Sequence, residues 1–306
     1  MQGLIIKSTG SWYTVKTDEG ILDARLRGRF KLEDKKITNP IAVGDKVTLV
    51  KNEGGQNEWV IEEILPRENY IIRKSPRKKN HDHLIAANVD QAVLIVTLKR
   101  PKTSFGFIDR FLVTLEAFRI PGVIIFNKRD LLNQDEIEEV LYAMYRYDKI
   151  GYQCVLTSFT EDGLSEDLMK LLRGRVSLVS GHSGTGKSTM INLLLPNVEQ
   201  KVSEISDFAN KGVHTTTFAE MFFFDEDSAI IDTPGIKELG LAEIEAEELA
   251  HYFPEMRNHL GECRFHNCIH VNEPGCAVLA EVENGNISGE RYLSYLSMLE
   301  GEDNRR

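Results

Sequence analysis

Three short segments carry residue types suited to holding a nucleotide. Gly181-His182-Ser183-Gly184-Thr185-Gly186-Lys187-Ser188 fits G-x-x-x-x-G-K-[ST], a loop whose backbone N–H groups surround phosphates at the start of a helix. In such a loop Lys187 reaches the β- and γ-phosphates and Ser188 ligates Mg²⁺, while Thr189 extends the phosphate-binding set into the helix. Asn127-Lys128-Arg129-Asp130 reads as N-K-x-D, in which the Asp130 carboxylate accepts from both guanine N1–H and the exocyclic amine. Adenine lacks that donor pair and would leave the carboxylate unpaired, so discrimination is large. Alone, the tetrapeptide also suits a solvated turn, and its force comes from the phosphate loop in the same chain. Asp232-Thr233-Pro234-Gly235 matches D-x-P-G, a segment that brings Asp232 and Gly235 to Mg²⁺ and the γ-phosphate.

Weaker signals complete the set. Gly212-Val213-His214-Thr215-Thr216-Thr217 offers hydroxyls for the Mg²⁺ shell, and Thr216 is chosen over its neighbours. Ile236 stands where many GTPases carry the glutamine that orients the attacking water, which implies slow unaided hydrolysis. His214 is a candidate for that orienting role, or else a structural turn residue, so the expected catalytic set is His214, Thr216 and Lys187. Thr157-Ser158-Phe159 follows an apolar strand and offers backbone contacts to guanine O6 through Ser158, but it lacks the lysine of the usual Ser-Ala-Lys. The guanine signature precedes the phosphate loop, the reverse of ordinary small GTPases. That order describes a circular permutation.

Two further constellations lie outside the nucleotide motifs. Cys263, Cys268, His270 and Cys276 form C-x₄-C-x-H-x₅-C, and three thiolates with one imidazole make a closed tetrahedral site for one structural Zn²⁺. No ligand position is left for water. His266 is a spare, His251 and His259 read as surface or packing residues, and Cys154 reads as a small core residue. Near the N-terminus, Arg25, Arg27 and Arg29 are spaced by two, so a strand would turn all three to one face. Lys31, Lys35, Lys36 and the basic cluster 73–79 extend that stripe, with Trp12, Tyr13 and Phe30 available to stack on bases. A solvated charged face is the competing reading. The charge distribution favours a polyanion such as RNA: residues 1–80 hold 16 Lys and Arg against 11 Asp and Glu, within a chain of net charge -10.

The elements that must position these groups fall into three blocks. Residues 1–72 carry short β-type runs, such as Tyr13-Thr14-Val15, Lys46-Val47-Thr48-Leu49-Val50 and Trp59-Val60-Ile61, separated by Gly- and Asp-rich turns. Their spacing suggests an OB-fold barrel. A polar, Pro-containing linker is expected at 73–82. Over 83–240, a continuous apolar run (92–96) and similar strand-like runs (123–126, 154–156, 176–179) alternate with helix-like segments, as in a buried parallel α/β sheet, followed by a hairpin around Asp225-Glu226-Asp227. Residues 241–306 read as mainly helical and hold the cysteines. No apolar run nears the ~20 residues of a membrane span, and no signal-peptide layout opens the chain, so a cytoplasmic protein is expected.

With its motifs in the order N-K-x-D, T-S-x, phosphate loop, G-x-H-T-T-T, D-T-P-G and C-x₄-C-x-H-x₅-C, the chain closely resembles the bacterial ribosome small-subunit-dependent GTPase A family. Ala86-Ala87-Asn88-Val89-Asp90, Arg264-Phe265 and Glu273-Pro274-Gly275-Cys276 also look like family features. The resemblance implies an OB-fold, a permuted GTPase domain using GTP, GDP and Mg²⁺, and a zinc-binding helical domain. It further implies a monomeric factor without membrane attachment that binds the 30S subunit and its 16S rRNA during late maturation, hydrolysing GTP when that subunit stimulates it. Two rivals remain at this level. One is a P-loop kinase or ATPase; the other is an RNA-binding adaptor whose GTP site is structural and does not hydrolyse.

Overall fold

The structure, a computed structural model, describes residues 1–10, 12–26, 39–52, 58–74, 82–196, 219–232 and 244–301. Five strands open the chain: β1 (Gln2–Ser8), β2 (Tyr13–Thr17), β3 (Gly20–Leu26), β4 (Lys46–Lys51) and β5 (Trp59–Ile64). They pair in the order β1-β2-β3-β5-β4, and β4 pairs back to β1, so the sheet closes. All these pairs are antiparallel except β3 with β5. This is the expected five-stranded OB-like barrel, filled by Ile5, Tyr13, Val15, Val47, Leu49 and Ile61, which alternate with outward residues along their strands.

The segment read as a linker is different. Tyr70–Lys74 (β6) and Asp82–Ala87 (β7) form an antiparallel pair, with Arg73 opposite His83 and Lys74 opposite Asp82. The apolar residues Ile71, Ile72, Leu84 and Ile85 supply strand character that the neighbouring charges concealed. Residues 75–81 lie outside the described part.

By its internal contacts the chain forms two compact units, which cut across the sequence blocks. One comprises residues 1–93, 163–181 and 187–238; the other comprises 94–162, 182–186 and 239–306. In the first, beyond the barrel, β11 (Val176–Ser180) runs parallel to β13 (Ala229–Asp232) and leads towards α4 (Lys187–Leu194). β13 forms the expected hairpin with β12 (Glu220–Phe223). The barrel is fastened to that hairpin: Lys7 lies opposite Glu220 and pairs with it at 2.9 Å, and the Lys16 ammonium sits 3.5 Å from the Phe223 ring centroid. Helix α3 (Glu166–Leu172) starts at Ser165, whose side chain accepts from Leu168 N–H.

In the second unit, β8 (Gln91–Val96, shared at Val93/Leu94), β9 (Gly122–Phe126) and β10 (Gln153–Leu156) stand in the order β10-β9-β8. β8 is buried throughout, as its unbroken apolar run requires. Helix α1 (Phe105–Phe118) is capped by the Ser104 hydroxyl, and α2 (Gln134–Lys149) by a reciprocal box between Asn133 and Glu136. The C-terminal part carries a 3₁₀ turn Leu249–Tyr252, the short α5 (Pro254–Arg257), α6 (Ala277–Glu283) and α7 (Gly289–Leu299). Their core of Leu249, Phe253, Met256, Val278, Ile287 and Tyr295 includes Val113 of α1 and Cys276. Among the described residues no helix is long and apolar enough to cross a membrane.

One glycine is demanded by the fold. Gly44 has φ +93°, and a Cβ built there would lie 1.9 Å from the Ala87 carbonyl oxygen. Beside it, Asp45 is fully buried, accepts from Ala42 N–H, and is held by two bonds from Arg67 at 2.6 and 2.7 Å. Gly44→Ala should therefore cost about 2–3 kcal/mol of stability, since backbone strain and a main-chain clash act together. Denaturant unfolding of the full chain measures it; an unchanged midpoint would mean that Ala87 moves aside freely.

Candidate functional site

The guanine motif and the phosphate loop meet through one side chain. Asn127 follows β9 and is nearly buried; its backbone N–H bonds Val96 O at 2.9 Å. Its Nδ2 donates to Thr185 O at 2.8 Å, and its Oδ1 accepts from Phe159 N–H at 3.1 Å. Three loops distant in sequence are thus joined by one planar amide. Gly186 has φ +108°, and a Cβ there would lie 2.2 Å from Asn127 Nδ2, so only glycine fits. The loop's interior is held by Thr185, whose hydroxyl donates to His182 O at 2.9 Å.

Asp130 lies exposed in the 3₁₀ turn Arg129–Leu131, and its Oδ1 accepts from Ser158 Oγ at 2.5 Å. That contact orients the carboxylate without burying it, leaving it accessible to a base. Lys128 adopts a left-handed backbone conformation, φ 67°, and its ammonium donates to Arg100 O at 2.8 Å. Asp162, which the sequence reading passed over, braces the same loops. It accepts from Ser158 N–H at 2.9 Å and from Arg129 Nη2 at 2.9 Å, while its own N–H bonds Ser158 O at 2.7 Å. The N–H groups of Ser158 and Phe159 are therefore engaged within the protein, to Asp162 and Asn127. The Ser158 hydroxyl serves Asp130 from the same loop. A carboxylate four residues after a loop serine was the only trace of Asp162 in the sequence.

The residues flanking the loop are also placed. The Lys187 ammonium donates to Gly181 O. Ser188 and Thr189 open α4 and are exposed, as are Ser183 and Gly184. Asp232 ends β13, opposite Val179 of β11. His214, Thr216 and Gly235 lie outside the described residues.

The Cys/His cluster assembles as a unit. The ligand atoms of Cys263, Cys268, His270 and Cys276 all lie within 4.8 Å of one another. Cys263 Sγ is 3.9 Å from Cys276 Sγ and 3.6 Å from His270 Nδ1, which is 3.3 Å from Cys276 Sγ. A zinc tetrahedron with Zn–S of about 2.3 Å has edges of about 3.8 Å, so the donor set fits the metal in type, number and spacing. The peptide N–H groups of Ala277 and Leu279 each point at a sulfur, at 3.4 Å, as thiolates require. Burial pushes the Cys268 thiol up to about 12 and raises that of Cys276, a penalty that a divalent cation reverses. Glu273 folds the knuckle by accepting from the N–H groups of Ile269, Val271 and Asn272 at 2.7–3.0 Å. Burial opposes its charge, but these bonds prevail and hold its carboxyl at about 2. His266 is exposed and His259 pairs with Glu262 at 3.0 Å, outside the cluster. Cys154 is half-buried in β10, its thiol raised to about 12 by burial, which disfavours the thiolate.

On the barrel, Arg25 is exposed and its guanidinium lies 3.8 Å from the Trp12 ring centroid, a cation on an aromatic face. Tyr13 corrects an expectation: it is 2% exposed, with its hydroxyl on Asn39 Oδ1 at 2.8 Å, and belongs to the barrel core. Alternation along β2 turns it inward where Trp12 faces out. Arg27, Arg29, Phe30, Lys31, Lys35 and Lys36 lie outside the described residues.

The site defines a guanine-nucleotide P-loop protein with permuted motif order. Residues 64–242 match the RsgA GTPase family model and residues 2–57 match the RsgA N-terminal domain. Small ribosomal subunit biogenesis GTPase RsgA from Cytophaga hutchinsonii is 55% identical over 307 residues, covering 100% of both chains. Small ribosomal subunit biogenesis GTPase RsgA 2 from Bacteroides thetaiotaomicron is 48% identical, over 99% of this chain and 97% of the relative. Among solved structures, YjeQ from Thermotoga maritima superposes with a TM-score of 0.79 at 35% identity, covering 100% of this chain and 99% of the other. YloQ, described as a circularly permuted GTPase, gives 0.74 at 29% identity, covering 100% and 96%. The chain belongs to the RsgA GTPase family and is a circularly permuted, GTP-hydrolysing enzyme. Membership implies a guanine nucleotide with Mg²⁺, which removes the kinase and ATPase alternative.

Asp130→Asn replaces an acceptor by a donor facing guanine's own donors and should raise the Kd for GDP by about 10- to 100-fold, as a lost charged hydrogen bond implies. Titration with a fluorescent GDP measures this, and unchanged affinity would remove Asp130 from base recognition. Metal analysis should find about one zinc per chain, lost together with C-terminal structure in Cys276→Ala, because structural sites contribute folding energy. Zinc-free parent protein with a normal melting profile would refute the metal assignment.

Proposed function

We propose that this GTPase acts in late maturation of the small ribosomal subunit in the cytoplasm, as a monomer that docks on 16S rRNA and hydrolyses GTP faster on the subunit. The observation carrying the reading is the Asn127 bridge. It brings a guanine motif and a phosphate loop into one site in a chain whose relatives are named small ribosomal subunit biogenesis GTPases. In this reading the barrel (1–72) and the Cys/His domain (241–306) are the docking modules, flanking the GTPase domain (83–240). The basic N-terminal segment and the Arg25–Trp12 face support contact with a phosphate backbone.

Within the nucleotide site, residues 181–189 hold the phosphates, Lys187 neutralises charge on the β- and γ-phosphates, and Asn127, Lys128, Asp130 and Ser158 form the base end. Ser188, Thr216 and Asp232 are the residues that would hold Mg²⁺, whose chemistry is to neutralise phosphoryl charge. Gly235 meets the γ-phosphate, and His214 orients the attacking water in place of the glutamine replaced by Ile236. Cys263, Cys268, His270 and Cys276 hold one structural Zn²⁺.

GTP turnover measured with and without purified 30S subunits tests the proposal. Stimulation of about tenfold or more is expected, with Ser188→Ala reducing the stimulated rate by at least about 100-fold, because phosphoryl transfer depends on positioning and charge neutralisation. Equal turnover in both conditions would overturn the ribosomal part of the reading and leave the GTPase.

A further inference from the structure

Helix α1 carries two contacts that the nucleotide reading does not use. Phe107 is buried on α1, and its ring centroid lies 3.9 Å from that of His182, the second residue of the phosphate loop, at 34° between planes. Asp109 lies two residues further, about 200° around the helix axis, and faces the C-terminal helices. Arg291 of α7 donates to Asp109 Oδ1 at 2.7 Å and, through Nε, to Glu255 Oε1 at 2.7 Å. This face repeats at helical spacing. Val113 packs in the same core as Cys276, and Glu116 accepts from Arg257 at 2.9 Å.

Resting on the guanine-nucleotide reading of residues 181–189, we propose that Phe107, Asp109 and Arg291 are positioning residues for the phosphate loop. They act through α1 and tie the loop to the Cys/His segment. Arg291 is 3% exposed and Asp109 is 1% exposed, so the guanidinium is the buried countercharge of two carboxylates. Its planar fork spans both, and Tyr147 donates a further bond to Asp109 at 2.9 Å. The orientation of this face of α1 is therefore set by geometry as well as by packing. A hydrogen-bonded helix moves as a body, so a change at Asp109 reaches Phe107 half a turn away. From Phe107 it reaches the His182 ring and the first turn of the loop. The sequence separation is 182 residues from Asp109 to Arg291, yet the spatial path is one helix wide.

The test uses full-length Phe107→Leu, Arg291→Lys and the double variant, each checked for zinc content and melting. Arg291→Lys keeps the charge and loses the fork. Binding of a fluorescent GDP and of a non-hydrolysable fluorescent GTP analogue is then measured. Each single variant should weaken at least one nucleotide by about five- to tenfold with zinc retained, and the double variant should be no weaker than the worse single, because both break one path. Affinities unchanged in Arg291→Lys, or losses that multiply in the double variant, would overturn the proposal. If Arg291→Lys does not fold, Asp109→Asn in the same cycle decides by the same criterion. A parent protein that binds neither nucleotide would refute the underlying site reading instead.

Discussion

The Asn127 carboxamide is the constraint on which the nucleotide site depends. It presents one donor and one acceptor in a fixed plane, and both are used, on Thr185 O and on Phe159 N–H. Neither loop can shift without leaving a nearly buried polar group unpaired, which is expensive in a low-dielectric interior. The residue types around it follow from that position. Gly186 must lack a side chain because the amide occupies the space where a Cβ would stand. Asp130 and Ser158 then fall within hydrogen-bonding distance, and Asp162 closes the arrangement by tying Arg129 to the Ser158 backbone.

This constraint also makes the permuted order intelligible. Residues 127, 159 and 185 meet across sequence separations of 32 and 58, and none of their bonds depends on which segment the ribosome makes first. Moving the chain ends leaves these contacts intact and changes what is attached at the ends. Here the barrel is fastened to the β12–β13 hairpin by the Lys7–Glu220 pair and by Lys16 on Phe223. In sequence that hairpin lies directly between the Thr-rich segment and D-T-P-G. The Cys/His segment follows D-T-P-G in turn.

The C-terminal segment needs the stabilising devices it carries. Its helices are short, and a small apolar core gains little from burial alone. Two devices supplement it: the cluster of three thiols and an imidazole, with spacings that suit a tetrahedral metal, and the Arg291 pairs with Asp109 and Glu255. A buried ion network of this kind adds geometric specificity more surely than stability. It fixes where α7 meets α1, because the guanidinium fork accepts few arrangements.

Much was legible from the residues alone, and the reason is locality. Buried strands announce themselves as unbroken apolar runs, as in β8 and β9, and barrel strands as alternation between turns. The phosphate loop, N-K-x-D and the Cys/His spacing are each complete within about fifteen residues, so the sequence determined the nucleotide class, the permuted order and the metal donor set. What it left open depends on partners far along the chain. Tyr13 looked like a stacking face and is core, because strand alternation turns it towards Asn39. The segment 73–82 looked like a linker, yet its ends are paired strands, since pairing is a property of two segments and neither alone declares it. Phe107 and Arg291 carry no local signature, and Asp162 shows only as a carboxylate four residues after Ser158; the folded chain brought a ring to His182 and a guanidinium to Asp109. Spacing encodes chemistry that neighbours perform together, and tertiary structure alone decides which distant groups hold that chemistry in place.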